Sequence, residues 1–347
     1  MEALLRELKL AVRQAWRRKA VALVGVGTLA VALGASTAMF SVYSSLVLHP
    51  LPYAESQQLV WVDAFNLKTG SVMSGGLSPQ DFLDLRAQSH QLTTLAAYFP
   101  NVATLVGNGD PQHVAYANVS GEFFATLGVA PALGRVVQRA DELATLPEVA
   151  VLSHGLWRQR YGSDPHVIGR TLDLDNRDLT IVGVMPAGFD YPEGAELWTP
   201  EPFANPVNQE RSFRFLDVIG RLGQRASLRA AQDEGDAVAD RLAKQYPTSD
   251  AGRGVRLQPL AAHVVGPVGA TLALMMLAAI LVLAIACANV ANMLLAQAVG
   301  RWREMALRTS LGATRAHLVR QLTAEGLVLA GLAGGLGWLL AALLMPV

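Results

Sequence analysis

Residues 20–48 read AVALVGVGTLAVALGASTAMFSVYSSLVL and contain no charged side chain over 29 positions. About 20 such residues suffice for a helix to cross a bilayer, and the run is too long for a signal peptide. Residues 257–300 contain only two ionisable side chains, His263 and Cys287, and residues 326–347 contain no charge. The chain is therefore predicted to form three transmembrane helices, with a long polar segment between the first two.

The charges of the chain are divided between these short flanks and the long polar segment. The formal net charge is zero, yet residues 1–19 and 301–325 together carry +7, and residues 50–263 carry −7. Short basic flanks remain in the cytoplasm, whereas long domains cross the membrane whatever their own charge. We therefore expect the N-terminus and the segment between helices 2 and 3 inside, and residues 50–263 outside.

These patterns predict an α+β membrane protein with three transmembrane helices and a large extracytoplasmic mixed α/β domain inserted between helices 1 and 2. Before the first span, apolar residues recur at helical spacing, and basic residues lie on the opposite face of the same predicted helix. This pattern indicates an amphipathic helix in the membrane interface or a surface for a cytoplasmic partner. The predicted segments are an interfacial helix (1–19), transmembrane helix 1 (20–49), the extracytoplasmic domain (50–263), transmembrane helix 2 (264–300), a basic helix (301–313) and transmembrane helix 3 (314–347).

The basic helix lies between the second and third spans. From residue 301 to residue 315 it carries four arginines and one glutamate, and its helical pattern ends at a Gly-Ala-Thr break. Either it is an anchor that fixes orientation, or it is a contact surface for a cytoplasmic protein. The residues that would form that contact are Arg301, Arg303, Glu304, Arg308, Gly312 and Arg315.

The extracytoplasmic segment alternates strand-like runs with helices that begin at a capping serine. Serine or threonine before a helical run accepts a backbone N–H that the helix itself leaves unpaired. We predict helix starts at Ser78, Ser120, Ser153 and Ser227. The predicted strands are 59–62, 113–116, 149–152, 179–182 and 215–219.

Catalytic and metal-binding patterns are missing from the sequence. There is no G-x-x-x-x-G-K-[ST] motif, so the chain carries no P-loop of its own. Asp173, Asp175 and Asp178 begin like a calcium loop, but the loop's glycine and its final glutamate are absent. A hairpin turn at Asp175-Asn176 explains these residues better. We expect a non-enzymatic protein without a cofactor, and nothing in the chain indicates a nucleic-acid partner.

Three motifs of the membrane segments are Ala-Ile-Ala-Cys-Ala-Asn-Val-Ala-Asn-Met-Leu-Leu-Ala (284–296), Arg-Glu-Met-Ala-Leu-Arg (303–308) and Leu-Gly-Ala-Thr-Arg (311–315). They resemble the permeases of MacB/FtsX-type ABC transporters. Stretches at 78–86, 128–135, 151–157, 168–171 and 182–186 resemble the MacB-like periplasmic core domain. Within the group, the likeness is greatest to the duplicated permeases of the acidobacterial type.

The resemblance implies a mechanotransmission machine in the inner (plasma) membrane. In such a machine the basic helix is a coupling helix that docks on a separate ATPase subunit, which binds ATP in trans. Two permease copies, or two halves, form a dimer in the lipid membrane. A periplasmic or outer-membrane partner is a further expectation.

Four residues of the second and third spans are predicted to pack helices. Gly331 and Gly335 form a small-x-x-x-small face, which lets helix backbones approach closely. Asn289 and Asn292 are costly against lipid, so we expect them to bond a neighbouring helix. A substrate-lining role for the two asparagines is the alternative.

Two functions remain open from the sequence. The first is export or extraction of lipophilic drugs, peptides or lipoproteins. The second is FtsX-like activation of an external partner such as a cell-wall hydrolase, without cargo. The large external domain favours the first. Because relatives have a fourth helix, we expect the chain to be a fragment, half of a duplicated permease or the product of a degraded gene, and to be inert alone.

The predicted topology is testable by labelling single cysteines. After Cys287 is replaced by alanine, Ser163→Cys should react with a membrane-impermeant maleimide in intact cells, because position 163 lies in the external domain. Thr309→Cys should react only after the cells are opened. The reverse pattern of labelling would contradict the topology.

Overall fold

The computed structural model describes residues 19–44, 47, 51–73, 75–107, 110–300 and 315–344. The predicted interfacial helix (1–19), apart from Lys19, and the predicted basic helix (301–313) lie outside the described residues. The chain divides into two compact units, Met1–Pro50 with Val265–Val347, here called the membrane unit, and Leu51–Val264, here called the external unit.

The described residues form eight α-helices and ten strands. The helices are α1 (Lys19–Tyr43), α2 (Pro79–Gln88), α3 (Phe123–Leu127), α4 (His154–Tyr161), α5 (Leu228–Gln245), α6 (Pro247–Asp250), α7 (Leu260–Gly300) and α8 (Arg315–Leu344). The strands are β1 (Leu59–Asn66), β2 (Leu92–Val106), β3 (Gln112–Val119), β4 (Leu133–Gly134), β5 (Val149–Leu152), β6 (Thr171–Leu174), β7 (Asp178–Val184), β8 (Leu197–Pro200), β9 (Asp217–Leu222) and β10 (Arg253–Pro259).

Three of the helices contain a stretch that is long and apolar enough to cross a membrane. These stretches are Leu23–Tyr43 in α1, Val268–Ala296 in α7 and Gly326–Leu343 in α8. A helix satisfies all of its backbone hydrogen bonds internally, so an uncharged run of this length is stable in hydrocarbon.

Helices α1 and α8 approach each other most closely at two glycines. A Cβ atom built on Gly337 would lie 3.0 Å from both the Ala30 carbonyl oxygen and the Leu33 Cβ, and one built on Gly34 would lie 3.1 Å from the Gly337 carbonyl oxygen. Ala30 and Ala333 are buried. Small residues therefore permit this contact, as is usual between helices in lipid.

Helix α7 contacts α1 through fewer, more specific interactions. The Ser36 hydroxyl donates a hydrogen bond to the Ala279 carbonyl oxygen at 3.3 Å. A Cβ atom on Gly25 would lie 2.6 Å from the Met293 Cε, so the methionine side chain occupies the space that the glycine leaves. Most of the remaining surface of α7 has no neighbour within the described chain.

The external unit is built on one ten-stranded sheet. The strand order is β10-β1-β9-β2-β3-β8-β5-β7-β4, and β6 pairs with β2 and β7. Most neighbours are antiparallel, whereas β3–β8 and β5–β7 are parallel. Mixed pairing follows from the alternation of strands and helices along the chain.

Alternate residues of each strand enter different cores, because successive side chains of a strand point to opposite faces. In β2, Ala96 and Tyr98 enter an aromatic cluster with Trp61, Phe123 and Trp198, here called the aromatic core. The other face carries two separate clusters. Residues 95 and 97 belong to the one beneath α2 and α5, and residues 103 and 105 belong to the one beneath α4.

Three of the four predicted capping serines act as predicted. The hydroxyls of Ser78, Ser153 and Ser227 accept the backbone N–H three residues ahead, at the starts of α2, α4 and α5. The prediction at Ser120 is wrong. Its hydroxyl accepts the Ala97 N–H at 3.0 Å instead, and α3 begins after Glu122 without a side-chain cap. Ser120 is buried, so bonding the neighbouring strand satisfies it better than a helix start would.

The sheet ends on one side at β10, whose free edge is covered by a side chain. Gln232 of α5 donates to the Val255 carbonyl oxygen at 2.8 Å and accepts the Leu257 N–H at 2.7 Å. These two backbone groups would otherwise be available to a further strand. The predicted fold class, transmembrane helices flanking a mixed α/β domain, is confirmed.

The glycine contact between α1 and α8 leads to a stability prediction. Gly337→Ala should lower the thermal unfolding midpoint in detergent, because overpacking costs about 1–3 kcal/mol. The matched variant is Gly334→Ala, since a Cβ atom there meets nothing within 4 Å. It should leave the midpoint unchanged or raise it, because alanine favours helix over glycine. Equal midpoints for the two variants would show that the contact does not hold the helices together.

Candidate functional site

The predicted ATPase-coupling residues cannot be placed in the structure. Arg301, Arg303, Glu304, Arg308 and Gly312 lie outside the described residues. Arg315 is the first residue of α8, and only its backbone is described. The coupling role of these residues stays a prediction.

The predicted packing residues are placed on exposed helix surface. Asn289 and Asn292 are exposed on α7, and the hydrogen bond between α7 and α1 is made by Ser36 instead. A Cβ atom on Gly331 or Gly335 would meet nothing within 4 Å. The four residues therefore face away from the helices described here, and contact with a further helix stays a prediction.

The site that the structure does describe is the start of α7, where this helix leaves the external unit. Leu260, its first residue, is completely buried in the aromatic core. One turn later, the His263 ring stacks on the Trp61 ring, with centroids 3.7 Å and planes 11° apart. The first turn of the helix is thereby fixed to strand β1.

Hydrogen bonds around Asp63 hold this stack in place. Its carboxylate accepts the Trp61 indole N–H at 2.5 Å and the Gln258 side-chain amide at 2.8 Å. The same Gln258 amide lies 3.4 Å from His263 Nδ1. Asp63 is buried, so these donors replace the water that its carboxylate oxygens would otherwise bind.

Burial also changes the acidity of the groups around the stack. It lowers the pKa of His263, against the opposing effect of Asp63, so the imidazole is neutral at pH 7. Burial and the neighbouring Asp63 carboxylate raise the pKa of Asp217 to about 6. A neutral imidazole lies flat on the indole without the cost of desolvating a cation.

The chain that follows α1 reaches the same aromatic core. Tyr53 contacts Phe189 and Tyr191, with ring centroids 6.4 and 6.2 Å apart. The Tyr191 and Tyr98 hydroxyls are 3.3 Å apart, and burial raises the pKa of Tyr191 to about 12. Both connections of the external unit therefore end among the same aromatic rings.

Sequence reasoning missed this junction. Trp61 and His263 are about 200 positions apart, and neither belongs to a motif of fixed spacing. The only signal was that His263 was one of two ionisable side chains in an otherwise apolar run. In the part of the chain that the structure describes, no group of three His, Cys, Asp or Glu residues is placed to hold a metal ion.

The stack at the start of α7 leads to a prediction. Trp61→Leu should lower the unfolding midpoint and speed amide hydrogen exchange at residues 258–264, because the ring and a donor to Asp63 are lost. The matched variant is Trp157→Leu, whose indole donates to the Asp164 carbonyl oxygen in another cluster. It should lower stability without changing exchange at 258–264. Equal exchange in both variants would show that the stack does not fix the helix.

Comparisons with known proteins find two matching family models. Residues 23–238 match the family model described as MacB-like periplasmic core domain, and residues 276–347 match that described as FtsX-like permease C-terminal. A macrolide export ATP-binding/permease protein MacB of Burkholderia thailandensis is 25% identical over 228 residues, covering 64% of this chain and 33% of the relative. The corresponding protein of Burkholderia lata is 26% identical over 228 residues, covering 64% and 32%. The chain spans about a third of the length of these curated relatives.

Two solved structures are similar to part of this chain at low sequence identity. The periplasmic region of MacB from Actinobacillus actinomycetemcomitans aligns over 62% of this chain and 94% of its own, with a TM-score of 0.46 and 12% identity. The extracellular domain of the transporter YknZ from Gram-positive bacteria aligns over 58% and 99%, with a TM-score of 0.43 and 11% identity.

Proposed function

Because this chain belongs to the MacB/FtsX-type permeases of ABC transporters, we propose that it transmits ATP-driven motion from a separate ATPase to its external unit. As a member of this family, it is an inner-membrane permease component with an extracytoplasmic segment. The proposal places the ATP site on a separate subunit, and residues 1–347 contain no P-loop motif.

The observation that carries the proposal is the length of α7. This single helix runs from Leu260, in the aromatic core of the external unit, to Gly300, the residue before the basic helix. Its 41 residues correspond to about 60 Å of continuous helix. The His263–Trp61 stack fixes its first turn, so a displacement of the helix would reach the external unit rather than be absorbed at its start.

The basic helix is the proposed contact with the ATPase. Arg303, Glu304 and Arg308 follow α7 directly in the sequence, and Arg315 begins α8. A charged segment held between two transmembrane helices cannot move without moving them. Positively charged side chains near the ends of membrane helices also fix orientation, and this role is compatible with the contact.

A second permease copy is the proposed partner of α7 within the membrane. Leu274, Leu281 and Ile285 are each more than half exposed on this helix. Asn289 and Asn292 are exposed beside them. An asparagine amide facing hydrocarbon is costly unless another helix supplies a hydrogen-bond partner. A second copy of the same face would supply it.

The proposed cargo belongs to the class of lipophilic drugs, peptides or lipoproteins. The relatives are described as macrolide export proteins, and this description supports the same class of cargo for this chain. The FtsX-like match at residues 276–347 supports the alternative, activation of an external partner without cargo. Cross-linking of the external unit in cells would separate them, because a stable extracytoplasmic protein partner, with no cargo bound, favours the alternative.

Charge reversal tests the contact with the ATPase. Arg303→Glu combined with Arg308→Glu should strongly reduce co-purification of the ATPase, because two attractive contacts become repulsive. The matched control is Arg225→Glu combined with Arg229→Glu, two exposed positions of the external unit. The control should co-purify as the wild type does.

A second experiment distinguishes recruitment of the ATPase from transmission of its motion to the external unit. A Gly-Gly-Ser insertion between Val264 and Val265 interrupts α7 but leaves the basic helix intact. It should preserve co-purification of the ATPase and abolish stimulation of ATP hydrolysis by substrate. Unchanged co-purification in the charge-reversal variant would reduce the basic helix to an orientation signal.

A further inference from the structure

Two carboxylates lie side by side on the sheet, next to the start of α7. Strands β1 and β9 pair antiparallel with Val62 opposite Val218, so the next residues in this register are Asp63 and Asp217. Each of them is two residues away from a member of the aromatic core, so both side chains point to that face of the sheet. Like charges directly opposite each other on neighbouring strands destabilise a sheet.

The two carboxylates differ in their hydrogen-bond partners. Asp63 is buried and accepts hydrogen bonds from the Trp61 indole and the Gln258 side-chain amide. Asp217 is half-buried, and its carboxylate accepts no hydrogen bond from any residue that the structure describes. A negative charge is therefore compensated by donors at the first position and left without them at the second.

The cation next to this pair in the sheet has other partners. Arg256 of β10 is opposite Asp63 in the register. Its guanidinium lies over the Phe65 ring, 4.8 Å from the centroid, and donates to the Gly70 carbonyl oxygen at 3.2 Å. Within the described part of the chain, neither Asp63 nor Asp217 takes part in an ion pair. The repulsion between the two carboxylates is thus not offset by a counterion.

The other titratable groups that face Asp217 are phenols. Tyr98 of β2 is its partner in the sheet register, and Tyr191 belongs to the loop between β7 and β8. Burial raises the pKa of both phenols, so they are neutral and supply no positive charge. Burial, and after it the Asp63 carboxylate, raises the pKa of Asp217 to about 6. Mild acid therefore removes one of the two negative charges.

The charge of Asp217 acts on the attachment of α7 through Asp63. The Asp63 carboxylate bonds the Trp61 indole, on which the His263 ring stacks. Its other donor, the Gln258 amide, lies 3.4 Å from His263 Nδ1. A second charge beside Asp63 raises the free energy of keeping both carboxylates away from water. Water reaches them only when this packing opens, so ionisation of Asp217 favours opening at the first turn of α7.

We propose that Asp217 is a proton-binding residue that controls how firmly α7 is attached to the external unit. With Asp217 protonated, one carboxylate with two donors remains and the first turn of α7 stays packed. With Asp217 ionised, an uncompensated charge loosens that turn. Asp217 belongs to the extracytoplasmic segment, so it responds to the acidity outside the cell membrane. As a regulator of transmission it rests on the proposed function, whereas proton binding itself requires no ATPase.

Acid favours the closed junction through Asp217 and the open junction through His263. The pKa of Asp217 in the folded protein lies above its ordinary value of 3.8. The closed junction therefore binds more protons than the open one between about pH 4 and about pH 6, and falling pH stabilises it there. Burial lowers the pKa of His263 below 6.5, so opening lets the imidazole gain a proton in acid. Comparing two variants at the same pH cancels the contribution of His263.

The test measures amide hydrogen exchange at residues 258–264 in the full chain in detergent, without ATPase or nucleotide. Asparagine carries no charge at any pH, so at about pH 7.5 Asp217→Asn should exchange about tenfold more slowly than the wild type, or slower still. At about pH 5 the wild-type carboxyl is mostly protonated, so this difference should shrink by about tenfold. In an Asp63→Asn background, Asp217→Asn should slow exchange less, because the repulsion is already removed.

The matched control is Asp233→Asn, an exposed aspartate of α5. It should leave exchange at residues 258–264 unchanged at both pH values. Exchange at residues 154–161, which form α4 over another cluster, should be the same in Asp217→Asn and the wild type. Equal slowing in both segments, or a difference at residues 258–264 that does not change with pH, would overturn the proposal. Loss of the ATPase contact with this pattern of exchange intact would contradict only the proposed function.

Discussion

Burial of aromatic rings in one cluster holds both the sheet and the attachments of the external unit. Trp198, Phe123 and Phe124 are among the largest side chains that are completely buried. Leu260 shares that cluster, and Tyr53 contacts it from the other connection. Each aromatic side chain buries roughly 150–250 Å². The attachment of α7 is therefore part of the core, so the helix cannot be displaced at its start without disturbing the packing of the sheet.

A different constraint acts in the membrane unit. Between helices in lipid there is no hydrophobic driving force, so association depends on close van der Waals contact and a few hydrogen bonds. The α1–α8 contact meets that constraint with Gly34, Gly337 and buried alanines. Helix α7 instead touches α1 through Ser36 and Met293 and leaves most of its apolar surface exposed. The least covered helix of the membrane unit is thus the one that reaches the core of the external unit.

Local patterns in the sequence predicted the membrane spans and most helix starts. They did not predict contacts between residues that are far apart in the sequence. Uncharged runs identify the spans because charge is costly in hydrocarbon, and a capping serine needs only a neighbour three residues ahead. Ser120 has the same local pattern as the other caps, but its buried hydroxyl bonds Ala97 across the sheet. For the same reason, the spacing of Gly331 and Gly335 did not reveal that Gly337 meets α1. The coupling residues are different, since their prediction came from charge and resemblance and the described residues do not include their side chains.

Gln232 has a consequence for how the external unit can assemble with other proteins. Its amide occupies one acceptor and one donor of strand β10, the two groups that an incoming strand would need first. Extension of the sheet at this edge would require an incoming chain to displace a side chain that is already bonded to both groups. Extracytoplasmic domains are crowded together on the membrane surface, where open sheet edges favour aggregation. One glutamine on a covering helix thus disfavours extension of the sheet at the β10 edge.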